Sequence, residues 1–366
     1  MSNNLCDKYD AVIMLTMSNW ETEPRSNRYH YATRFSKELP VYFVQPSRGT
    51  HLFDEKIIGN FHLIKAATLE ALTSFMRLLD SRNIKNPLLW AYNPICEPVI
   101  NNFSNSTLIY HATENYFIDA PCMKVTEHLK ASIIKLFPRI DLLVGVCDRV
   151  TESYKKNGFL GNTITVENGC DAEFYLNIKN NLNLTPSTEK IAIFQGGINS
   201  RLNFCLLEEV ISLLPEWQFW FCGREDGSAT HNPSWIKIKN LNNVKYFGPL
   251  SSYEELGKLM CHSSVGLIPF IEHEWVFSSL PLKAYEYVAC GLPVVSTPIH
   301  SLDQKKGKYN LFQFATSVDK FIIEMQKAYE TRYDKVYLKE REKAALENSY
   351  NIRFNELKNQ LGALIK

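Results

Sequence analysis

No CxxC pair occurs among the nine cysteines, Cys6, Cys96, Cys122, Cys147, Cys170, Cys205, Cys222, Cys261 and Cys290. An odd number of scattered thiols, most of them in apolar runs, argues against a zinc ribbon or a disulfide framework. It predicts buried, reduced cysteines in a reducing compartment. A surplus of charge is also lacking, since 40 lysines and arginines face 39 aspartates and glutamates. Nucleic-acid-binding proteins usually carry a basic surplus, which removes weight from that class. A small cleft for one diphosphate needs only a few cations and survives this test. No apolar run approaches the ~20 residues needed to span a bilayer. The polar opening MSNNLCDKYD lacks a signal-peptide pattern. The expected location is the cytoplasm, with peripheral contact at the inner face of a membrane left open. Glycine is missing from the turn after the first apolar strand, Thr16-Met17-Ser18-Asn19-Trp20. A dinucleotide-binding fingerprint belongs in that turn, so an NAD- or FAD-dependent enzyme is disfavoured, and no P-loop is present either. Repeats and low-complexity tracts are absent.

What remains is an ordinary globular composition, 45% hydrophobic and 22% charged over 366 residues. A single core rarely grows past roughly 250–300 residues, so two or more domains are expected. Short apolar strands alternate with amphipathic helices. The pattern predicts strands at Asp10–Met17, Val41–Gln45, Pro87–Tyr92, Ser106–His111 and Asp141–Cys147. It predicts helices at Arg28–Leu39 and Cys122–Leu136, where apolar residues recur on one face. The polar stretch Asn177–Glu189 reads as a linker. The alternation then restarts, with strands at Ile191–Phe194, Gln218–Cys222, Val244–Phe247, Val265–Pro269 and Pro293–Ser296. Helices are predicted at Asn203–Leu214, Tyr253–Cys261, Pro281–Cys290 and Val318–Tyr329, and one long helical stretch closes the chain. Strand–helix alternation implies parallel sheets covered on both faces. The fold class is therefore α/β, with two Rossmann-like domains and a cleft between them.

The segment richest in chemistry runs from Ser278 to Thr297 and reads as helix, glycine stop, buried strand. Ser278 or Ser279 suits a helix cap, Pro281 the first turn and Gly291 the exit. A helix start offers unpaired N–H groups to a phosphate. Lys283 adds a charge in that first turn. Glu286, three residues on, lies near it and can accept hydrogen bonds from a ribose diol. On spacing alone, a surface Lys–Glu pair on a buried helix is the favoured reading of the same residues. Phe194-Gln195-Gly196-Gly197-Ile198-Asn199-Ser200-Arg201 places glycines after a strand, where backbone can approach a phosphate or sugar. A plain strand-to-helix turn is the alternative reading there.

These segments, taken in order, resemble the GT-B glycosyltransferases, in particular glycosyltransferase family four (group one). The Pro-x-Lys-x-x-Glu-Tyr pattern at Pro281–Tyr287 is similar to the subgroup of teichuronic acid and xanthan glucuronosyltransferase-like enzymes. The likeness extends over most of residues 141–360, through Phe221-Cys222-Gly223-Arg224, the Asn243–Leu250 segment, Asn168-Gly169-Cys170-Asp171 and Ser349–Phe354. The resemblance implies Lys283 on a donor diphosphate, Glu286 on the ribose and Arg201 on the departing diphosphate. It adds Gly196, Gly197, Arg224, Pro249, Leu250 and Leu282 to the donor site. One departure stands out. The family pattern carries two glutamates, and Ser278 occupies the place of the first.

The first half offers fewer signals. Trp20–His30 resembles the subgroup's Trp-containing loop before an Arg-x-x-His helix start, which makes His30 a candidate. Tyr110–Tyr116 ends a strand, and strand ends are where open α/β sheets bind ligands. Glu114 is thus the candidate base, with His111 in reserve. The resemblance implies residues 1–175 as acceptor-binding domain and 186–338 as nucleotide-sugar domain. Residues 339–366 would be a helix returning to the first domain. The expected reaction moves a hexosyl or uronosyl group from a nucleoside diphosphate sugar to a glycan, lipid-linked or other hydroxyl acceptor, in cell-surface polysaccharide synthesis. No Asp-x-Asp occurs, so neither metal nor cofactor is expected. A nucleotide-sugar epimerase of related fold and a non-catalytic nucleotide-sugar-binding protein are the other readings.

Overall fold

The computed structural model describes residues 5–22, 25–45, 53–66, 69–103, 106–182, 187–305 and 311–364. Two units divide the chain. The first comprises Met1–Phe117, Val125–Glu167 and Arg353–Lys366, and the second Ile118–Lys124 and Asn168–Ile352.

The first unit is built on eight strands. They are β1 Val12–Leu15, β2 Val41–Gln45, β3 Asp54–Ile58, β4 Phe61–Lys65, β5 Leu88–Ala91, β6 Thr107–Ala112, β7 Leu142–Gly145 and β8 Asn162–Thr165. Their order is β3-β4-β2-β1-β5-β6-β7-β8, parallel throughout except for the antiparallel β3–β4 pair. Every residue of β1, β5 and β7 is buried, as expected where helices cover both faces of a parallel sheet. The helix Asn27–Phe35 starts where the Ser26 side chain accepts from the N–H of Arg28. The next expected helix begins five residues later than predicted, at Glu127, because Thr126 caps the N–H of Leu129. The last helix, Tyr350–Leu364, ends in this unit. There Phe354 packs on Phe35 at 5.0 Å, and Arg353 pairs with Glu167 at 3.0 Å.

The second unit repeats the scheme with β9 Ile191–Gln195, β10 Gln218–Cys222, β11 Val244–Gly248, β12 Val265–Ile268, β13 Val294–Ser296 and β14 Phe312–Phe314. All pairs are parallel, in the order β11-β10-β9-β12-β13-β14. This is the doubly wound order, with a reversal between β9 and β12. Buried Trp217, Trp235, Tyr285 and Tyr287 anchor its core.

Three expectations need correction. The first half of the predicted linker at 177–189 is helix, since Ala172–Leu182 runs through it. Its asparagines face outward while Tyr175, Leu176 and Ile178 are buried, and residues 183–186 lie outside the described set. The single closing helix is two, Lys335–Glu347 and Tyr350–Leu364. The break serves two main-chain bonds, from Cys170 N–H to the Asn348 carbonyl and from Tyr350 N–H to the Cys170 carbonyl, both 3.0 Å. Neither serine caps the helix after Pro281. Ser278 ends the short helix Glu274–Phe277, and the Ser279 hydroxyl donates to the Val276 carbonyl. The expectation of burial holds for Cys96, Cys147, Cys170, Cys222 and Cys290, while Cys6, Cys122 and Cys205 are exposed.

The helix Lys283–Ala289 packs against Lys335–Glu347, and Arg341 locks the contact. Its guanidinium, 2% exposed, donates to the carbonyls of Gly291, Arg332 and Thr331 at 3.0, 2.8 and 3.3 Å. Burial pulls its pKa down to about 10, which still leaves it charged at neutral pH. Arg341→Met is expected to strand these carbonyls and to cost about 3 kcal/mol. Calorimetry should show Tm lower by roughly 6–12 °C. A fall of under about 2 °C would mean that the carbonyls find other donors.

Candidate donor site

The site forms where β9 and β12 part company. They pair only through Ala192 with Val265 and Ile193 with Gly266, after which the strands diverge. Tyr287 ties the two sides together. Its hydroxyl accepts from Gln195 N–H at 2.8 Å and donates to the Leu267 carbonyl at 3.4 Å. A divergence at the topological switch point is where an open α/β sheet takes its ligand.

Main-chain bonds assemble the loops around this opening. Gly196 N–H donates to the Cys222 carbonyl, Gly223 N–H to Gly248 and Ile198 N–H to Arg224, at 2.8–2.9 Å. The approach is so close that a Cβ on Gly223, where φ is +145°, would lie 2.0 Å from the Gly196 carbonyl oxygen. A Cβ on Gly196 would lie 2.8 Å from Lys283 Nζ. Glycine at Gly223 is thus a requirement of packing as well as of backbone conformation, while at Gly196 the requirement is its backbone, with φ +116°. On the other side, Asn203 N–H donates to Pro269 and Ile271 N–H to Arg201. These bonds bring Arg201 beside Phe270 and Trp275, 6.0 and 5.9 Å from their ring centres. Asn199 Oδ1 accepts from both Nε and N–H of Arg201, fixing the guanidinium.

Lys283 occupies the middle. Its ammonium stands 3.8 Å from the centre of the Phe194 ring and 5.1 Å from that of Phe270. Its pKa lies well below the usual lysine value, chiefly through desolvation and further through Arg201, with Glu286 opposing. Glu286 is 8% exposed, and its Oε2 accepts from the Gln195 side-chain amide. Leu282 is half-buried at the start of the helix. Of the rim residues, Arg224 and Pro249 are exposed, while Leu250 packs on the core. The structure therefore groups Gly196, Gly197, Arg201, Lys283 and Glu286 closely, and gives Arg224, Pro249, Leu250 and Leu282 outer positions.

Sequence reasoning missed Gln195, Asn199, Phe270 and Trp275. Gln195 and Asn199 lie beside the glycines, yet nothing in their spacing identifies the partners they hold. The chain also ties this region down from a distance, as Asn168 Nδ2 donates to the Leu280 carbonyl at 2.8 Å.

In the first unit the three candidates separate. His111 is fully buried among Tyr31, Trp90 and Tyr92, at 5.1–5.6 Å between ring centres. Burial, aided by Arg28, lowers its pKa to about 3, so it stays neutral. His30 is 2% exposed, with Nδ1 3.2 Å from Arg34 Nη1. Desolvation, then Arg34 and Arg25, hold its pKa well below the ordinary value. Both histidines belong to the core. Glu114 is half-buried just past β6, its backbone held by a 3.2 Å bond from the Tyr154 hydroxyl to its carbonyl.

Among the described residues no group of three or more His, Cys, Asp or Glu is placed to hold a metal ion. No described helix is long and apolar enough to cross a membrane.

Residues 189–330, which carry most of the site, match the family model described as glycosyl transferases group 1. TuaH of Bacillus subtilis strain 168, named a teichuronic acid biosynthesis glycosyltransferase, is 26% identical over 241 residues. That match covers 64% of this chain and 60% of TuaH. Among solved structures, sucrose-phosphate synthase from Thermosynechococcus elongatus superposes with a TM-score of 0.73 at 14% identity, covering 97% of this chain and 99% of its own. Anabaena HepE, solved in complex with UDP and glucose, gives 0.67 at 12% identity, covering 97% and 100%. The described chain thus has the GT-B fold, and its residues 189–330 match the model of the glycosyl transferases group 1.

Proposed function

We propose that the chain is a glycosyltransferase that moves a hexosyl or uronosyl group from a nucleoside diphosphate sugar to a hydroxyl acceptor in cell-surface polysaccharide synthesis. The observation that carries this reading is the pairing of Lys283 and Arg201 at the switch point. Each depends on aromatic rings or an amide, and among the described residues neither has a carboxylate within ion-pair distance. Two cations gathered beside one carboxylate, Glu286, suit a diphosphate. TuaH's name and the UDP seen in HepE support the same donor class.

In this reading the second unit holds the donor and the first the acceptor. The anomeric carbon loses its bond to the diphosphate, which departs with the electron pair. The acceptor oxygen forms the new bond and surrenders its proton to Glu114 as general base. Lys283 and Arg201 stabilise the growing charge on the leaving group, the task a metal performs elsewhere. Glu286 accepts from the ribose, and the loop around Gly248–Leu250 frames the base.

A thermal-shift screen against UDP-, GDP- and dTDP-linked sugars tests the assignment. Saturation at about 100 times Kd adds roughly 2.7 kcal/mol of stability, so one donor class should stand out. Turnover with that donor should survive EDTA. No shift with any nucleotide would overturn the donor site. Loss of turnover in EDTA, restored by Mn²⁺ or Mg²⁺, would overturn the role given to the two cations.

A further inference from the structure

Three helices of the second unit meet at a pair of thiols remote in sequence. Cys261 lies in the last turn of the helix Tyr253–His262. Cys290 caps the C-terminal end of Lys283–Ala289, its N–H donating to the Glu286 carbonyl at 3.1 Å. The Cys290 sulfur stands 4.0 Å from the Gly257 carbonyl oxygen. That carbonyl lies one turn before Cys261, whose own N–H reaches it through the i→i−4 bond of the helix. The same oxygen therefore neighbours the Cys290 side chain and the Cys261 backbone, and the two thiols interact directly. The helix Ala172–Leu182 packs on both of the others. The stem of its Lys179 would lie 3.6 Å from a Cβ on Gly291, which places it beside the Cys290 peptide. Cys170 is also near Cys290, but it is 1% exposed and its sulfur is 3.6 Å from the Ala345 carbonyl.

The two sulfurs differ in character. Cys261 is half-buried, whereas Cys290 is 5% exposed. The Cys290 thiol donates toward the Cys261 sulfur and, with desolvation opposing and Lys179 assisting, holds the Cys261 thiol below its ordinary pKa. Burial first, then Cys261, pushes the Cys290 thiol up. An accessible sulfur with thiolate character beside a protected, protonated one is the arrangement of an attacking and a resolving thiol. The donor site uses neither sulfur.

We infer that Cys261 and Cys290 form a reversible dithiol site for hydroperoxides, with Cys261 the attacking sulfur and Cys290 the resolving one. The Cys261 thiolate bonds to one peroxide oxygen as the O–O bond breaks. The other oxygen leaves with the electron pair and takes up a proton, and Cys261 becomes a sulfenic acid. The Cys290 sulfur then attacks the Cys261 sulfur. The S–S bond forms, and the sulfenic hydroxyl departs with the Cys290 proton as water. The two thiols give up two electrons, and the peroxide gains them. An external dithiol reverses the change.

The test uses the full, reduced chain, treated with a small excess of hydrogen peroxide, alkylated, denatured and digested at lysine and arginine. Lys283 lies between the two cysteines, so a Cys261–Cys290 disulfide joins two separate peptides. That linked pair should be the first product and should vanish with dithiothreitol. Cys261 should be consumed about tenfold faster than Cys6, Cys122 or Cys205, although these three are more exposed. In Cys290→Ala, oxidation should stop at Cys261, where dimedone captures the sulfenic acid. In Cys261→Ala, Cys290 should resist the same dose. The wild-type peptide map needs no variant, so it decides the matter even where a substitution disturbs folding. Thiols that merely fill the core would oxidise no faster than the exposed cysteines. That result would overturn the inference, as would a first disulfide between Cys170 and Cys290, or dimedone capture at Cys290 in Cys261→Ala.

Discussion

Replacing Lys283 by alanine is expected to weaken nucleoside diphosphate binding by about 10–150-fold, the range set by one charge-assisted hydrogen bond. Glu286→Gln should cost less, because it exchanges one acceptor for a weaker one. Turnover should fall further than binding in Lys283→Ala. A preorganised cation acts most strongly on the departing diphosphate, where removal of one such group typically costs about 10²–10³ in kcat. The structure adds a pH dependence to this expectation. The Lys283 ammonium is desolvated against Phe194 and Phe270, with Arg201 nearby, and its pKa is depressed. An anionic ligand favours the charged form. Affinity should therefore be full below the depressed pKa and decline as pH rises through it, at lower pH than for an ordinary lysine. Binding measured above that pKa should take up a proton, visible as a dependence of the calorimetric heat on the buffer. Stability moves in the opposite direction. Below the unfolded lysine's pKa the buried ammonium opposes folding, so Lys283→Met should raise Tm by about 2–4 °C for each kcal/mol relieved. Unchanged UDP and GDP affinity in Lys283→Ala, together with a lowered Tm in Lys283→Met, would identify Lys283 as a packing residue.

The second large effect is expected at Glu114. With His111 and His30 both in the core and both held neutral, Glu114 is the first-unit candidate left with exposed surface. As general base on the acceptor hydroxyl it should contribute about 10²–10⁴-fold. Glu114→Gln preserves the shape and removes the basicity. It should lower kcat by that factor and leave donor affinity unchanged. The stereochemical outcome, read from the product anomer by NMR, must then be inversion. A retained anomer with near-normal turnover in Glu114→Gln would sink the assignment.

The strands in the middle of both sheets were legible because they are continuous apolar runs bounded by polar residues. Val41–Gln45 and Gln218–Cys222 are found where the pattern predicts them. The edge strands of the first sheet were not legible. In β3, Asp54–Ile58, no residue is buried, and β8, Asn162–Thr165, is at most half-buried, so neither writes a periodicity into the chain. The helix Ala172–Leu182 was hidden for a related reason, since the polar residues of its outer face outnumber the buried ones in the window read as linker.

At the site, the sequence by itself determined the residue types and their order. The glycine pair after β9, Lys283 and Glu286 three residues apart, and Gly291 before β13 are local features, and local steric and helical geometry makes them readable. Only the tertiary structure decided which of them meet. Gln195 and Glu286 are 91 residues apart in sequence, and their contact follows from parallel pairing at a switch point. The same packing assigned His111 to the core. Its neighbours Tyr31, Trp90 and Tyr92 come from a helix, from β5 and from the residue just past β5. A histidine at a strand end looks alike on the chain whether solvent or aromatic rings surround it. Only the desolvation imposed by those rings settles that it stays neutral.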